Sequence, residues 1–396
     1  MIKFEIYAIF ADQLSRPVLM THIEFSDFSA GYKAKISMFG TMECHIMLEP
    51  SDKEAGAAGC ITSLDTGLKA ILADGRIKGF RQVFRRWFLS DAAAQTCLLP
   101  QCEVPTSVIQ QPPLDGSKAV LWVWLMKDVS DRYEYLFRGS MLSDGDGSYG
   151  QMQEILTDYS KELEHKRLNI TDDCARTWIY VRDVDVNYAG IVKARRELFD
   201  DWGMTSDTHY LASTGINGLT ENHRNLVSMD AYAVKGLGQE NVRYLHALDN
   251  LSPTHVYGVT FERGTALHFE DRTQILISGT ASIDNKGEIV YPGDVDRQTE
   301  RTFENIGALL KEGGASFDDI AQMIVYLRDT ADYKKVSRII SERFPDTPCV
   351  ITWAPVCRPG WLVEVECIAY VYLTGLTEAP VAPSRSTGRY EPANST

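Results

Sequence analysis

Apolar and polar positions in the last third of the chain fall into a fixed order of alternating runs and helical stripes. Val259–Ala266 and Gln274–Ile283 alternate and are rich in β-branched residues, which predicts two strands. After the Gly293-Asp294 turn, Phe303, Ile306, Leu309 and Leu310 recur at helical spacing. They predict a helix from Val295 to about Glu312, stopped by Gly313-Gly314. Ile320–Leu327 reads as a strand, and Asp332–Phe344 as a second helix with Val336, Ile339 and Ile340 inward. Cys349–Val356 and Trp361–Leu373 close the series. The order is ββαβαββ, an α+β sandwich with its helices on one face of a sheet.

The same order echoes upstream. Thr177–Val181 matches the Ile324–Leu327 strand, and both lead into Arg-Asp. Tyr188–Trp202 matches the second helix, and Thr208–Ser213 with Leu226–Val234 match the closing strands. More loosely, a helix around Leu64–Leu72, a strand over Gly79–Leu89 and the apolar run Val120–Met126 repeat it again. The expected organisation is three modules, 1–130, 131–250 and 251–377, with a Pro/Ser/Thr-rich disordered tail at 378–396.

Composition narrows the function. Hydrophobic content of 44% and charged content of 24% are ordinary for a globular protein. A formal charge of −14 argues against a nucleic-acid partner, which needs a basic footprint. The longest apolar run, Ala119–Met126, is far too short to span a membrane. The eight cysteines form no C-x-x-C pair and read as reduced core thiols of a cytoplasmic protein. Histidines are scattered without ligand spacing, so neither a metal nor a cofactor is expected.

One acid stands out. In Trp361-Leu-Val-Glu-Val-Glu-Cys-Ile368, period two places Glu364 and Glu366 on one face of an otherwise apolar strand. Buried carboxylates are costly unless paired or used. Apolar surroundings and a neighbouring like charge both favour the protonated form, which suits a general acid.

Ile277-Ser-Gly-Thr-Ala-Ser-Ile283, Gln298–Asn305, Phe317-Asp-Asp-Ile320, Val325-Tyr-Leu-Arg-Asp329 and Glu364-Val-Glu366 resemble the YjgF/Rid family. The family is homotrimeric, with a chorismate-mutase-like fold and clefts between subunits. The resemblance therefore implies a covalent pseudo-trimer of YjgF-type ββαβαββ modules, either monomeric or assembled into a higher homo-oligomer. The position of Glu364 corresponds to Ser228 in the middle module and to an apolar or aromatic residue near Leu121–Trp122 in the first. The imine-hydrolysing members hold a substrate carboxylate with an arginine early in the penultimate strand. Val350, Tyr210 and Ser107 are read at that position. Ser278-Gly-Thr-Ala-Ser-Ile283, Gly293-Asp294, Arg176-Thr-Trp178 with Tyr180, and Thr214-Gly-Ile216 are similar to chorismatases, built on the same fold. In that branch a glutamate at the Glu364 position protonates the enolpyruvyl group of chorismate. Members that release 3-hydroxybenzoate carry the glycine and cysteine found here as Gly279 and Cys357.

The resemblance thus implies Glu364 and Cys357 as catalytic residues. Ser278, Gly279, Thr280, Arg176, Tyr180, Tyr210, Thr214, Gly215, Arg224, Tyr257, Arg263 and Arg358 are the candidates for binding a small-molecule carboxylate. The alternatives are a Rid-type imine or enamine hydrolase and a non-catalytic small-molecule-binding or regulatory protein. The ribonuclease role often attached to the family fits an acidic chain worst.

Overall fold

A computed structural model describes residues 20–27, 29–127 and 132–372; the tail expected at 378–396 lies outside them. The described chain forms three sheets, each carrying its own helices. The first holds β1 (Met20–Asp27), β2 (Tyr32–Phe39), β3 (Glu43–Pro50), β4 (Arg81–Leu89), β5 (Thr106–Gln110) and β6 (Ala119–Met126), in the order β1-β2-β3-β6-β4-β5. The second holds β7 (Glu134–Met141), β8 (Cys174–Val181), β9 (Ala212–Asn217) and β10 (Val227–Lys235), ordered β7-β10-β8-β9. The third holds β11 (Val242–Leu245), β12 (Gly264–His268), β13 (Arg272–Ala281), β14 (Ile320–Leu327), β15 (Cys349–Trp353) and β16 (Val363–Tyr372), ordered β11-β12-β13-β16-β14-β15.

The repeat is visible in the wiring. In every sheet the final strand inserts beside the strand that precedes the first helix, and the two strands between them in sequence form a parallel pair (β4/β5, β8/β9 and β14/β15) at an edge. The modules depart from ββαβαββ individually. The second has one strand before its first helix, and the third gains β11 at its edge. The first has only a one-turn helix, Ala92–Gln95, between β4 and β5.

Five longer helices cover the sheets: α1 (Ala57–Leu72), α2 (Gly147–His165), α3 (Val184–Asp201), α4 (Val295–Glu312) and α5 (Tyr333–Arg343). Their inward residues keep helical spacing, as with Ile61, Leu64, Leu68 and Ile71 in α1 and Met152, Ile155, Leu156, Tyr159 and Leu163 in α2. Asp294 caps α4 by accepting the Arg297 N–H, and Gly314 at φ 84° ends the turn beyond it.

The faces opposite the helices turn inward and share one core. Phe84, Trp122 and Trp124 of the first module, Phe137, Trp178 and Tyr232 of the second, and Leu276 and Ile368 of the third are buried together. Ring contacts such as Trp124 on Tyr232, 5.5 Å between centroids, and Phe84 on Trp178, 6.2 Å, lock the modules to each other. The fold is therefore α+β, with tandem modules arranged as an intramolecular pseudo-trimer. Single backbone bridges tie the seams: Gln110 to Leu219, Pro113 to Thr352 and Ile216 to Val356. Four cysteines are buried as thiols, but Cys97 and Cys102 are exposed on the loop that replaces a helix in the first module, contrary to the expectation of core thiols throughout.

Candidate functional site

The seam between the second and third modules holds a narrow cleft. The third module supplies Gly279 and Ala281 from β13, Glu364 from β16, Cys357, Arg358 and Trp361 from the loop before β16, and Tyr257, Phe261 and Arg263 from the segment before β12. The second module supplies Ser213, Thr214 and Gly215 from β9, with Tyr188 and Arg195 from α3.

Glu364 sits at the floor, 4% exposed, opposite Ala281 and Tyr326 in the sheet. Burial, and then the negative charge of Glu366, push its carboxyl up to about 8, against the pull of Arg263 and Arg176. At neutral pH it is predominantly a neutral acid. A Cβ at Gly279 would collide with the Glu364 carboxyl and crowd Thr214, so this position needs glycine for close approach rather than for an unusual φ. Cys357 is partly buried; desolvation and the Glu364 charge push its thiol up to about 12, which rules it out as a thiolate nucleophile. Tyr188 reaches over from α3 to hydrogen-bond this thiol, and its ring lies on Gly215, where a Cβ would meet it at 3.0 Å.

The other charged lining groups are all cations. Arg195 and Arg263 are each 4% exposed. Arg195 donates to the Thr260 carbonyl, Arg263 to the Ser252 carbonyl at 3.0 Å, and Arg358 to the Tyr257 carbonyl at 3.0 Å. Among the described residues none of the three has a carboxylate within salt-bridge distance. Burial without an anion lowers Arg195 to about 10, and its Nε has no hydrogen-bond partner; neither does the indole Nε1 of Trp361. Buried donors without acceptors are costly, and an anionic, acceptor-rich ligand would satisfy them.

The candidates named from sequence divide into three groups. Glu364, Cys357, Gly279, Thr214, Gly215, Tyr257, Arg263 and Arg358 meet at the cleft. Ser278, Thr280 and Arg176 lie behind the wall. The Ser278 hydroxyl donates to the Glu262 carbonyl and accepts the Ser213 N–H, and that of Thr280 donates to the Ser278 carbonyl. Arg176 pairs with Glu366 at 2.9 Å. The remaining three are elsewhere. Tyr180 lies in the shared core, its hydroxyl donating to Asp230 at 3.2 Å. Tyr210 precedes β9 and packs near Phe199, and Arg224 is exposed in the turn before β10.

Register also corrects one equivalence and narrows another. Ile324 pairs with Val350, Trp178 with Thr214 and Arg86 with Ser107, so the counterpart of Val350 in the second module is Thr214, not Tyr210. Tyr326 pairs with Glu364, Tyr180 with Ser228 and Phe88 with Val120, so the apolar residue at the acid position of the first module is Val120. Tyr188, Arg195, Phe261 and Trp361 were not foreseen. Arg195 carried a weak signal, an arginine on the inward stripe of α3, but nothing local in the sequence says what it faces.

The family model described as Endoribonuclease L-PSP matches residues 266–371. A RutC family protein of Pyrococcus abyssi (strain GE5 / Orsay) is 40% identical over 98 residues, 24% of this chain and 77% of that relative. The chain belongs to the YjgF/Rid superfamily. A second YjgF/Rid relative, a 3-aminoacrylate deaminase RutC of Acinetobacter baylyi (strain ATCC 33305 / BD413 / ADP1), is 30% identical over 101 residues, 24% of this chain and 79% of the relative. Across the wider chain this YjgF/Rid protein has the fold of a chorismatase crystal structure, with a TM-score of 0.59, 19% identity, and coverage of 73% of this chain and 92% of that one. No helix among the described residues is long and apolar enough to cross a membrane.

Proposed function

We propose that this YjgF/Rid protein is a chorismatase-like enzyme that removes pyruvate from chorismate or a related small cyclic carboxylate. One observation carries the reading: a neutral carboxyl, Glu364, lies in a cleft whose other charged lining groups are arginines without carboxylate partners. A dianionic enol ether supplies the missing anions. Arg195, Arg263 and Arg358 would hold its carboxylates, and the aromatic walls of Tyr188, Tyr257, Phe261 and Trp361 would flank the ring.

Glu364 then delivers its proton to the terminal carbon of the enolpyruvyl C=C bond. The electron pair of that bond forms the new C–H bond, and the ether oxygen shares the resulting positive charge as an oxocarbenium ion. Water adds at the oxocarbenium carbon and loses a proton to give a hemiketal; its collapse breaks the C–O bond to the ring, transfers the hemiketal hydroxyl proton to the leaving ring oxygen and releases pyruvate. The carboxylate left on Glu364 faces Arg263 and Arg176, the two cations that favour its charged form. Gly279 and Cys357 set the width of the ring pocket beside the acid.

The deaminase among the relatives supports a second reading, Rid-type hydrolysis of an imine or enamine. Val350, Thr214 and Ser107 leave each module without an arginine in the penultimate strand, which disfavours it. Incubating the purified protein with chorismate and assaying pyruvate and hydroxybenzoate tests the first reading. Glu364→Gln should abolish pyruvate release with the fold intact, and an unimpaired variant rejects the mechanism. Turnover of imines generated in situ, with none of chorismate, would favour the second.

A further inference from the structure

Directly behind Glu364, two residues along β16, a second acid lies where all three modules meet. Glu366 is 3% exposed, and donors cover both its oxygens. Oε2 accepts from Arg176 at 2.9 Å and from the Thr214 hydroxyl, and Oε1 accepts from the Trp178 indole at 2.8 Å. Arg86 of the first module places Nη1 3.8 Å from Oε1 while its Nη2 pairs with Asp230 at 3.0 Å. Arg86 has no exposed side-chain surface and is ringed by Phe84, Trp122, Trp178 and Tyr180. An acceptor with only donors around it has the hydrogen-bonding pattern of an ionised carboxylate.

Thr214 links this knot to the cleft. Its hydroxyl accepts from Arg176 at 2.8 Å and from the Gly279 N–H at 2.9 Å, and donates to Glu366. That uses its donor and both acceptor sites, so Thr214 has no hydroxyl capacity left for a ligand. It fastens Gly279, the residue pressed against the Glu364 carboxyl, to the carboxylate behind.

We propose that Glu366 is a positioning residue for the cleft acid: its fixed negative charge keeps the proton on Glu364, and its hydrogen bond to Thr214 holds Gly279 against it. The inference rests on the reading of Glu364 as the working acid but adds a residue that touches no substrate. Other groups also face Glu364: Arg263 from the segment before β12, Arg176 from β8, Tyr326 from β14, Tyr188 from α3 and Cys357 from the loop before β16. Of these, Arg263 and Arg176 oppose the effect of Glu366, and the others are neutral phenols and a neutral thiol. Arg86 and Arg176 let a charge persist in the core that would otherwise be too costly to bury.

The test is a carbon-13 NMR titration of side-chain-labelled glutamate in the full chain, with the Glu364 signal identified by its loss in Glu364→Gln. In Glu366→Gln the Glu364 midpoint should fall by about one pH unit or more, a tenfold change in its acid constant. A midpoint unmoved in a folded Glu366→Gln protein would falsify the proposal, because a purely structural role lowers stability without shifting a neighbour's titration. If that variant does not fold, isotope-edited infrared spectra of the wild type at pH 6 decide instead. An ionised band for Glu366 beside a protonated one for Glu364 supports the proposal, and a protonated Glu366 overturns it. Neither readout needs turnover, so an inactive protein with the shifted midpoint would sink the chorismatase reading and leave this one standing.

Discussion

The seam between the second and third modules and the seam between the first and second are built from equivalent strands and have opposite outcomes. In the first of these, Glu364 and Gly279 line a narrow cleft together with β9 and α3. In the other, register puts Ser228 at the acid position and Ser140 at the glycine position. Ser140 sits at φ 52°; its N–H donates to Asp230 at 2.8 Å and its hydroxyl accepts the Val108 N–H at 2.9 Å. A Cβ on the neighbouring Gly139 would collide with the Thr106 carbonyl, so β5 lies directly on β7. The one-turn helix Ala92–Gln95 stands where α3 would bring a tyrosine and an arginine. A ligand site here needs an acid, a glycine beside it and a full-length helix over it. The closed seam lacks all three and satisfies its backbone with hydroxyls instead.

The comparison is broken or sharpened most strongly by paired substitutions at equivalent positions. Glu364→Gln should lower pyruvate release by about 10³-fold, the range for loss of a general acid, while Ser228→Ala leaves kcat unchanged. Equal losses in both variants would mean that the open seam is not the site. The same Glu364→Gln change should stabilise the protein. The folded carboxyl titrates near 8 against 4.5 for an ordinary glutamate, so its contribution is fully present below pH 4.5 and is lost as pH rises through 8. Relative to wild type, the variant should gain roughly 3 kcal/mol at pH 7 and almost nothing at pH 4, read from denaturant midpoints at each pH.

Removing a cation has a smaller effect. Arg195→Met or Arg263→Met should each raise KM or the ligand Kd by about tenfold or more, the loss of one hydrogen bond to a charged group. An exposed counterpart such as Arg224→Met should do nothing.

A separate prediction concerns the shared core, away from the cleft. His45 is fully buried, with Nδ1 accepting from the Trp122 indole at 3.2 Å and Nε2 2.8 Å from the Tyr370 hydroxyl. Burial lowers its pKa to about 3. Between pH 6.5 and 3 the unfolded chain binds a proton that folded His45 refuses, so wild type should lose about 1.4 kcal/mol per pH unit there relative to His45→Gln. Parallel stability profiles for the two proteins would remove this account of their acid sensitivity.

Much of the third module was legible because its signals are local. Ile320–Leu327 and the Val295–Glu312 helix were placed as observed, and Glu364, Gly279 and Cys357 do converge. Tyr210 was misplaced because β9 begins at Ala212, after an irregular stretch that shifts the apparent register by four residues. The helix Gly147–His165 was missed although Met152, Ile155, Leu156, Tyr159 and Leu163 carry its period. Tyr188, Arg195 and Trp361 were beyond reach for a different reason. Their importance comes from which module faces which, and strand or helix periodicity does not encode that. The core knot of Arg86, Asp230 and Glu366 joins residues 144 and more positions apart, and its logic appears only once three sheets are brought together.

Fusing the modules into one polypeptide has a stoichiometric consequence. A trimer of identical subunits would repeat every cleft three times, and occupancy of one could influence the next. Here the protein should saturate with a single ligand per 396-residue chain, along a simple hyperbola. The closed seam between the first and second modules is then free to act as a permanent joint, shaped for rigidity alone.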